Sequence, residues 1–240
     1  MPGYILHLTA AKILLEKYDL PVNPNDFYVG NLLPDSVRDK SKSHFRLEER
    51  KGKMVEYPEV ELFRKKYQDL MNDSSVLGYD FHLYIDRKFF IEYYPKILKY
   101  LNNAFCEELE MDKVEWTYIC KIDKIVPVQQ FLSEEYYYGD FTKMNSWLVE
   151  TYRLPMKLNT NLQNPGIEEV DYKLVENVLQ ELKGYCNSPL DAVQELTVFD
   201  LKDLIIFLEK AADEWITDQI EKGIYKYVNK KCVDNSMKSY

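Results

Sequence analysis

Hydrophobic residues recur at intervals of three and four along most of the chain, which is the spacing of one face of an α-helix. Residues 3–18 show this pattern first, with apolar side chains at Ile5, Leu8, Ala11 and Leu15. Asn25 or Asp26 can cap a short helix over residues 27–33 that ends before Pro34. The chain is therefore predicted to open with two helices joined by a turn.

The same spacing predicts further helices. Pro58 suits the first turn of a helix over residues 58–70. Ser74 or Ser75 can cap the next helix, which extends at least to Tyr94. Later helices are predicted over residues 97–105, 114–131, 140–152, 168–182 and 197–228. The predicted fold class is all-α, with many helices.

Two stretches interrupt the helical pattern. Residues 36–57 are rich in charged residues and serine, with Gly52 as a turn former and a weak alternation around Phe45. This predicts an exposed loop after Asp35, with room for a small hairpin. In residues 159–166, Asn, Thr, Gln, Pro and Gly cluster, as in a seam between two lobes or a long helix connection. We interpret residues 1–240 as a single α-helical domain.

Charge and cysteine content narrow the function. With 31 basic and 40 acidic residues the formal charge is −9, which disfavours binding to nucleic acid. A bound cation could receive a phosphate locally. The four cysteines lie far apart with no CxxC pair, which disfavours a thiolate zinc site and a disulfide framework. We see neither a signal peptide nor a transmembrane segment and expect a cytoplasmic protein, whose oligomeric state the sequence leaves open.

A histidine and an aspartate stand four residues apart in one predicted helix. His82 and Asp86 would share a helix face, so both could reach a metal ion at about 2.0–2.2 Å, or simply pair with each other. The only other histidines, His7 and His44, also fall within the first 86 residues, and Asp35 follows a helix break. Three imidazoles and two carboxylates suit Zn²⁺, and also Mn²⁺ or Fe²⁺.

The motifs around these residues resemble the bacterial zinc-dependent phospholipase C family, whose wider superfamily includes zinc nucleases that cut single-stranded nucleic acid. The resemblance covers roughly the first 90 residues and lies in His7-Leu8-Thr9-Ala10-Ala11, a Gly-x-x-x-Pro-Asp turn at 30–35, Ser43-His44-Phe45, and residues 78–86. It implies an all-α hydrolase fold in which Asp35, His44, His82 and Asp86 hold one ion. His7 would face a second ion shared through Asp86. The family's further cluster of two histidines and a glutamate has no counterpart, since no histidine follows His82.

Together these features predict a metal-dependent hydrolase that acts on a phosphoester, either phospholipase C-like or a phosphodiesterase, through water activated by one or two ions. The expected substrate is a small phosphoester or a phospholipid head group. Asp35 is predicted to be both ligand and general base. Lys40, Lys42 and Arg46 flank His44 and could contact phosphate, and we take Lys42 and Arg46 as substrate-binding residues. Residues 136–140 could wall the site, with Asp140 as a spare ligand.

The alternative is a non-catalytic binding or regulatory module that retains a structural metal site. The missing second ligand cluster motivates it, because a closed ion has no open position for water.

Overall fold

The structure, a computed structural model, describes residues 3–231. The first helices are α1 (Tyr4–Lys17), α2 (Pro24–Leu32), α3 (Lys40–Ser43), α4 (Val60–Lys66) and α5 (Ser74–Lys88), and strand β1 (Tyr18–Asp19) follows α1. The predicted helices over residues 3–18 and 27–33 are confirmed. Asn23 caps α2, because its side chain accepts the backbone N–H groups of Asn25 and Asp26. Asp73, rather than a serine, caps α5 in the same way.

Helices α2 and α5 pack backbone against backbone. A Cβ on Gly30 would lie 1.9 Å from the Ser75 carbonyl oxygen, and one on Gly78 would lie 2.0 Å from the Phe27 carbonyl oxygen. Only glycine permits this approach at either position. As a result the end of α2 lies directly against the part of α5 that carries His82.

The middle of the chain departs from the predicted helices. Helix α5 continues through a π-helical turn (Phe89–Tyr93) into α6 (Tyr94–Ile97), and an antiparallel sheet follows, in the order β2 (Leu98–Leu101), β3 (Trp116–Ile119) and β4 (Lys124–Pro127). The helices predicted over residues 97–105 and 114–131 are therefore wrong. Aromatic and β-branched residues dominate β3, which favours a strand. The fold is mainly α-helical with small sheets.

The loop over residues 36–57 contains no hairpin of its own, and that prediction is wrong. Its only regular pieces are α3 and a short 3₁₀ turn (Glu48–Arg50). The Met54 N–H instead donates to the Leu109 carbonyl at 2.8 Å, and the Met111 N–H donates to the Gly52 carbonyl at 2.8 Å. The loop thus pairs with the connection between β2 and β3, a distant segment that local periodicity does not reveal.

The last part of the described chain is again helical, with α7 (Val128–Phe131), α8 (Tyr137–Tyr152), α9 (Val175–Leu182) and α10 (Leu201–Glu221), and with strand β5 (Asn229–Lys230) paired to β1. The segment 159–166 has neither helix nor strand. The side chain of Asn25 bonds both the N–H and the carbonyl of Asn159, which ties this segment to α2. The segment is therefore bonded to the first half of the chain at this point.

Helix α1 lies at the centre and packs against α2, α5, α8 and α10. Buried hydrophobic residues from α1 to Tyr225 form one cluster. None of the helices in residues 3–231 is long and apolar enough to cross a membrane. The first turns of α1, the end of α2 and the middle of α5 meet on one side of this core, where the predicted ligands lie.

Candidate metal centre

The structure brings together all five predicted ligands, and all five are buried. His7 comes from α1, Asp35 ends a 3₁₀ turn (Leu33–Asp35), and His44 follows α3 directly. His82 and Asp86 lie on α5. Four elements therefore contribute to one cluster.

Asp86 lies between the histidines. Its Oδ1 is 3.2 Å from His7 Nε2, and its Oδ2 is 3.3 Å from His44 Nε2 and 3.8 Å from His82 Nε2. Asp35 Oδ1 lies 3.5 Å from His44 Nε2. The two oxygens of Asp86 thus face different histidines, an arrangement in which one carboxylate could bridge two ions.

Backbone carbonyls orient two of the imidazoles. His82 Nδ1 lies 2.8 Å from the Asn31 carbonyl oxygen, and His44 Nδ1 lies 3.0 Å from the Lys40 carbonyl oxygen. A carbonyl only accepts, so each Nδ1 carries a proton, and in a neutral ring Nε2 carries the lone pair. The two Nε2 atoms are 3.3 Å apart. A proton or a cation must lie between them, because two lone pairs at this distance repel.

His7 and Asp86 have buried polar atoms that lack hydrogen bonds. Within the described residues, both ring nitrogens of His7 and both carboxylate oxygens of Asp86 have no partner of acceptable hydrogen-bond geometry, although their distances are short. The His7 ring stacks on the His82 ring with centroids 3.7 Å apart and an interplanar angle of 12°. Unpaired buried nitrogen and oxygen atoms are costly. A bound cation would satisfy one His7 nitrogen and the oxygens of Asp86, whereas the other His7 nitrogen carries a proton and would still lack an acceptor.

Two groups of residues have the spacing of metal ligands. Ligand atoms lie within 4.8 Å of one another in the set His7, Asp35 and His82, and again in the set His44, His82 and Asp86. The imidazole and carboxylate donors fit Zn²⁺. Since His82 has a single free Nε2, it could serve only one ion, so the two sets could not both be complete at the same time. The residues present therefore fit a metal ion.

Electrostatics keep Asp35, Asp86 and His82 in the protonation states that can bind a metal ion. Burial alone raises the pKa of Asp35, but the nearby His82, His44 and Lys40 outweigh it and lower the pKa to about 2. Burial likewise opposes ionisation of Asp86, yet the imidazoles of His44 and His7 hold its pKa well below its ordinary value. Burial and the neighbouring His7 lower the pKa of His82 to about 3. At neutral pH both carboxylates are charged and His82 is neutral.

These shifts predict that acid destabilises the metal-free protein. An unfolded histidine binds a proton near pH 6.5, whereas folded His82 does so only near pH 3, so stability falls as the pH drops through this window. Asp35 adds a loss between about pH 4 and pH 2, because its folded pKa is also lowered. Urea unfolding across this range should show a loss of a few kcal/mol. In His82→Gln the slope between about pH 6 and pH 4 should shrink, and an unchanged slope would contradict this account.

An open cleft of about 410 Å³ reaches the cluster at Asp35. Tyr4 and Lys40 stand beside this aspartate, with the Tyr4 hydroxyl donating to its backbone carbonyl at 3.1 Å. Tyr138 and Phe141 of α8 form the opposite wall. Among the five ligands, only Asp35 lines the cleft.

The predicted substrate-binding residues lie elsewhere. Arg46 pairs with Glu56 at 3.1 Å and lines a neighbouring cavity of about 380 Å³. Lys42 is exposed and does not line the cleft. Lys40, named above as a possible phosphate contact, does line the cleft. Tyr138 walls the cleft as predicted for residues 136–140.

Asp140 is not a ligand. Its buried carboxylate accepts the backbone N–H groups of Thr197 at 2.9 Å, Val198 at 2.7 Å and Phe199 at 3.1 Å. These bonds connect the segment just before α10 to α8. These three bonds satisfy the charge, so the prediction of a spare metal ligand is wrong.

Comparisons with models of protein families, with curated proteins and with solved structures found no match. Functional assignment therefore depends on the chemistry of the residues themselves.

Proposed function

We propose that this chain is a metal-dependent hydrolase of phosphoesters, in which His7, Asp35, His44, His82 and Asp86 hold one or two Zn²⁺ ions. The observation that carries the proposal is the pair of Nε2 atoms of His44 and His82, 3.3 Å apart beside the unpaired oxygens of Asp86. Each ring is fixed by a backbone carbonyl, as outer partners fix metal-binding histidines. The donors are thus oriented in advance toward one point.

When bound, such ions would lower the pKa of a bound water to about 7 and neutralise phosphoryl oxygens. The chain's own contribution is to orient the reactants. Asp35 joins the cluster to the cleft, so it can accept a hydrogen bond from the attacking water. With a pKa of about 2 this carboxylate is a weak base, and its charge and position would matter more than proton uptake.

The surroundings of the cluster support a hydrolytic role. The cleft of about 410 Å³ has the size of small-molecule sites and combines aromatic walls with polar side chains. Tyr4, Tyr138 and Phe141 offer ring faces, while Thr142 and Asn145 offer hydrogen bonds. We propose that a small phosphoester or a phospholipid head group would bind between these walls.

A second candidate is a non-catalytic module with a structural metal ion. The observation that favours it is the burial of His7, His44, His82 and Asp86, each at most 1 % exposed. Four ligands so enclosed would suit a closed ion. The two candidates differ in the role of Asp35. In the hydrolase this residue connects the ion to the cleft, whereas a structural ion would need no such connection.

The test is elemental analysis followed by an assay of the same sample. We expect about one or two zinc ions per chain and hydrolysis of p-nitrophenyl phosphate or bis(p-nitrophenyl) phosphate that a chelator abolishes and zinc restores. Bound metal without turnover would favour the structural module. Protein that carries no metal, and gains no activity with Zn²⁺ or Mn²⁺, would contradict both.

A further inference from the structure

Lys40 is the only lysine or arginine among the described residues that line the cleft. Its ammonium donates to Asp35 Oδ1 at 2.7 Å and stands 6.0 Å from the centre of the Tyr4 ring. Its side chain is 34 % exposed, whereas that of Asp35 is 3 % exposed. The lysine thus connects the buried carboxylate with the open cleft.

Backbone bonds fix Lys40 as firmly as its side chain does. Its carbonyl oxygen accepts from His44 Nδ1 at 3.0 Å and from the His44 backbone N–H at 3.0 Å. One residue therefore orients two predicted ligands, His44 through its carbonyl and Asp35 through its ammonium. A lysine held at both ends presents its charge at a defined place.

The ammonium retains bonding capacity. It has three N–H donors, and Asp35 takes one of them. The other two are available to a group that enters the cleft beside Asp35. The cleft's other charged side chains are Asp35, which already pairs with Lys40, and Glu134, which accepts from the Thr142 hydroxyl at 3.1 Å. Its negative charge would repel a phosphate, which leaves the Lys40 end for the anion.

We propose that Lys40 binds a non-bridging oxygen of the substrate and makes this centre prefer phosphate monoesters to diesters. This inference rests on the proposed phosphoester hydrolysis. A monoester has three non-bridging oxygens and, above a second pKa of about 6, two negative charges. A diester has two such oxygens and one charge. With two non-bridging oxygens turned toward the metal site, a monoester would still have a third that gains a charge-assisted hydrogen bond from Lys40, whereas a diester would have an ester oxygen in that place.

The chain offers a matched control for this proposal. Lys42 lies two residues away in the same short helix, is exposed, and does not line the cleft. We would compare Lys40→Met with Lys42→Met, and use Lys40→Arg as the variant that keeps the charge. The substrates are p-nitrophenyl phosphate and bis(p-nitrophenyl) phosphate, which release the same leaving group. Assays use saturating zinc at about pH 8, where the monoester is a dianion.

We expect Lys40→Met to lower kcat/KM for the monoester by about 10- to 100-fold and for the diester by less than about threefold. Lys42→Met should change neither value by more than about twofold, and Lys40→Arg should recover much of the loss. Equal losses on both esters, or an equal loss in Lys42→Met, would overturn the proposal. So would failure of Lys40→Met to bind zinc, because Lys40 would then serve only the ligands.

Binding of inorganic phosphate provides a readout that needs no turnover. Calorimetric titration of the zinc-loaded protein should show an affinity about 10-fold weaker or more in Lys40→Met and unchanged in Lys42→Met. If the wild-type protein hydrolyses neither ester, the proposed function fails, while this titration still tests the lysine. Equal phosphate affinity in wild type and Lys40→Met would then reject it.

Discussion

Asp86→Asn should leave the protein folded but unable to retain its metal ion. Asparagine has the same shape as aspartate, so the packing of α5 is preserved. It replaces one carboxylate oxygen with an NH₂ group that cannot ligate, next to histidine nitrogens 3.2 and 3.3 Å away. It also removes a charge that would face the cation. Zinc affinity should fall by more than the roughly 10- to 100-fold that loss of an outer partner costs.

Elemental analysis after gel filtration, together with competition against a chromogenic chelator, measures this effect. Asp69→Asn is the matched control, because Asp69 is exposed in the 3₁₀ turn Gln68–Leu70. It should bind zinc as the wild type does. If Asp86→Asn kept wild-type zinc affinity, Asp86 would not be a ligand of the ion.

The five candidate ligands could be picked out from the sequence because their chemistry is rare in this chain. There are only three histidines, and His82 and Asp86 share a helix face by spacing alone. The approach of Gly30 to Gly78 was not visible, since it depends on two helices meeting. That contact presents the Asn31 carbonyl to His82 and so selects the nitrogen that faces the cluster. Residue type and spacing along the chain are enough to select these residues. Their orientation depends on contacts between distant parts of the chain.

The sheet was missed for a related reason. A strand of four residues, such as β3, is too short for its hydrophobic pattern to distinguish it from a helical turn. Its pairing partners, and those of the segment 52–54, are settled by long-range hydrogen bonds. Asp140 shows the same limit, because its partners lie 57 to 59 residues later in the chain.

The same helix that carries His82 is anchored on its other side by Asp80. This buried carboxylate receives a forked pair of bonds from Arg64, at 2.5 and 2.9 Å. It also accepts from Trp215 Nε1 at 2.8 Å and from Gln219 Nε2 at 3.2 Å. The network joins α4, α5 and α10, and four donors converge on one charge. Removal of that charge leaves these four donors without their acceptor, while Nη1 of Arg64 keeps its bonds to Glu61 and Asp218.

Asp80→Ala should therefore destabilise the protein by about 3–5 kcal/mol, because four buried donors, two of them on Arg64, lose their common acceptor. For a chain of this length that corresponds to a drop in Tm of roughly 6–20 °C. Asp213→Ala is the control at a partly exposed site, where Asp213 pairs with Lys17 and accepts from the Tyr18 hydroxyl at 2.7 Å, and its loss should cost only about 1–2 kcal/mol. Urea unfolding measures both changes.

Residues two apart on a helix point in nearly opposite directions, so folded Asp80→Ala should still bind zinc at low temperature. Loss of zinc from the folded variant would show that the anchor also sets the ligand geometry.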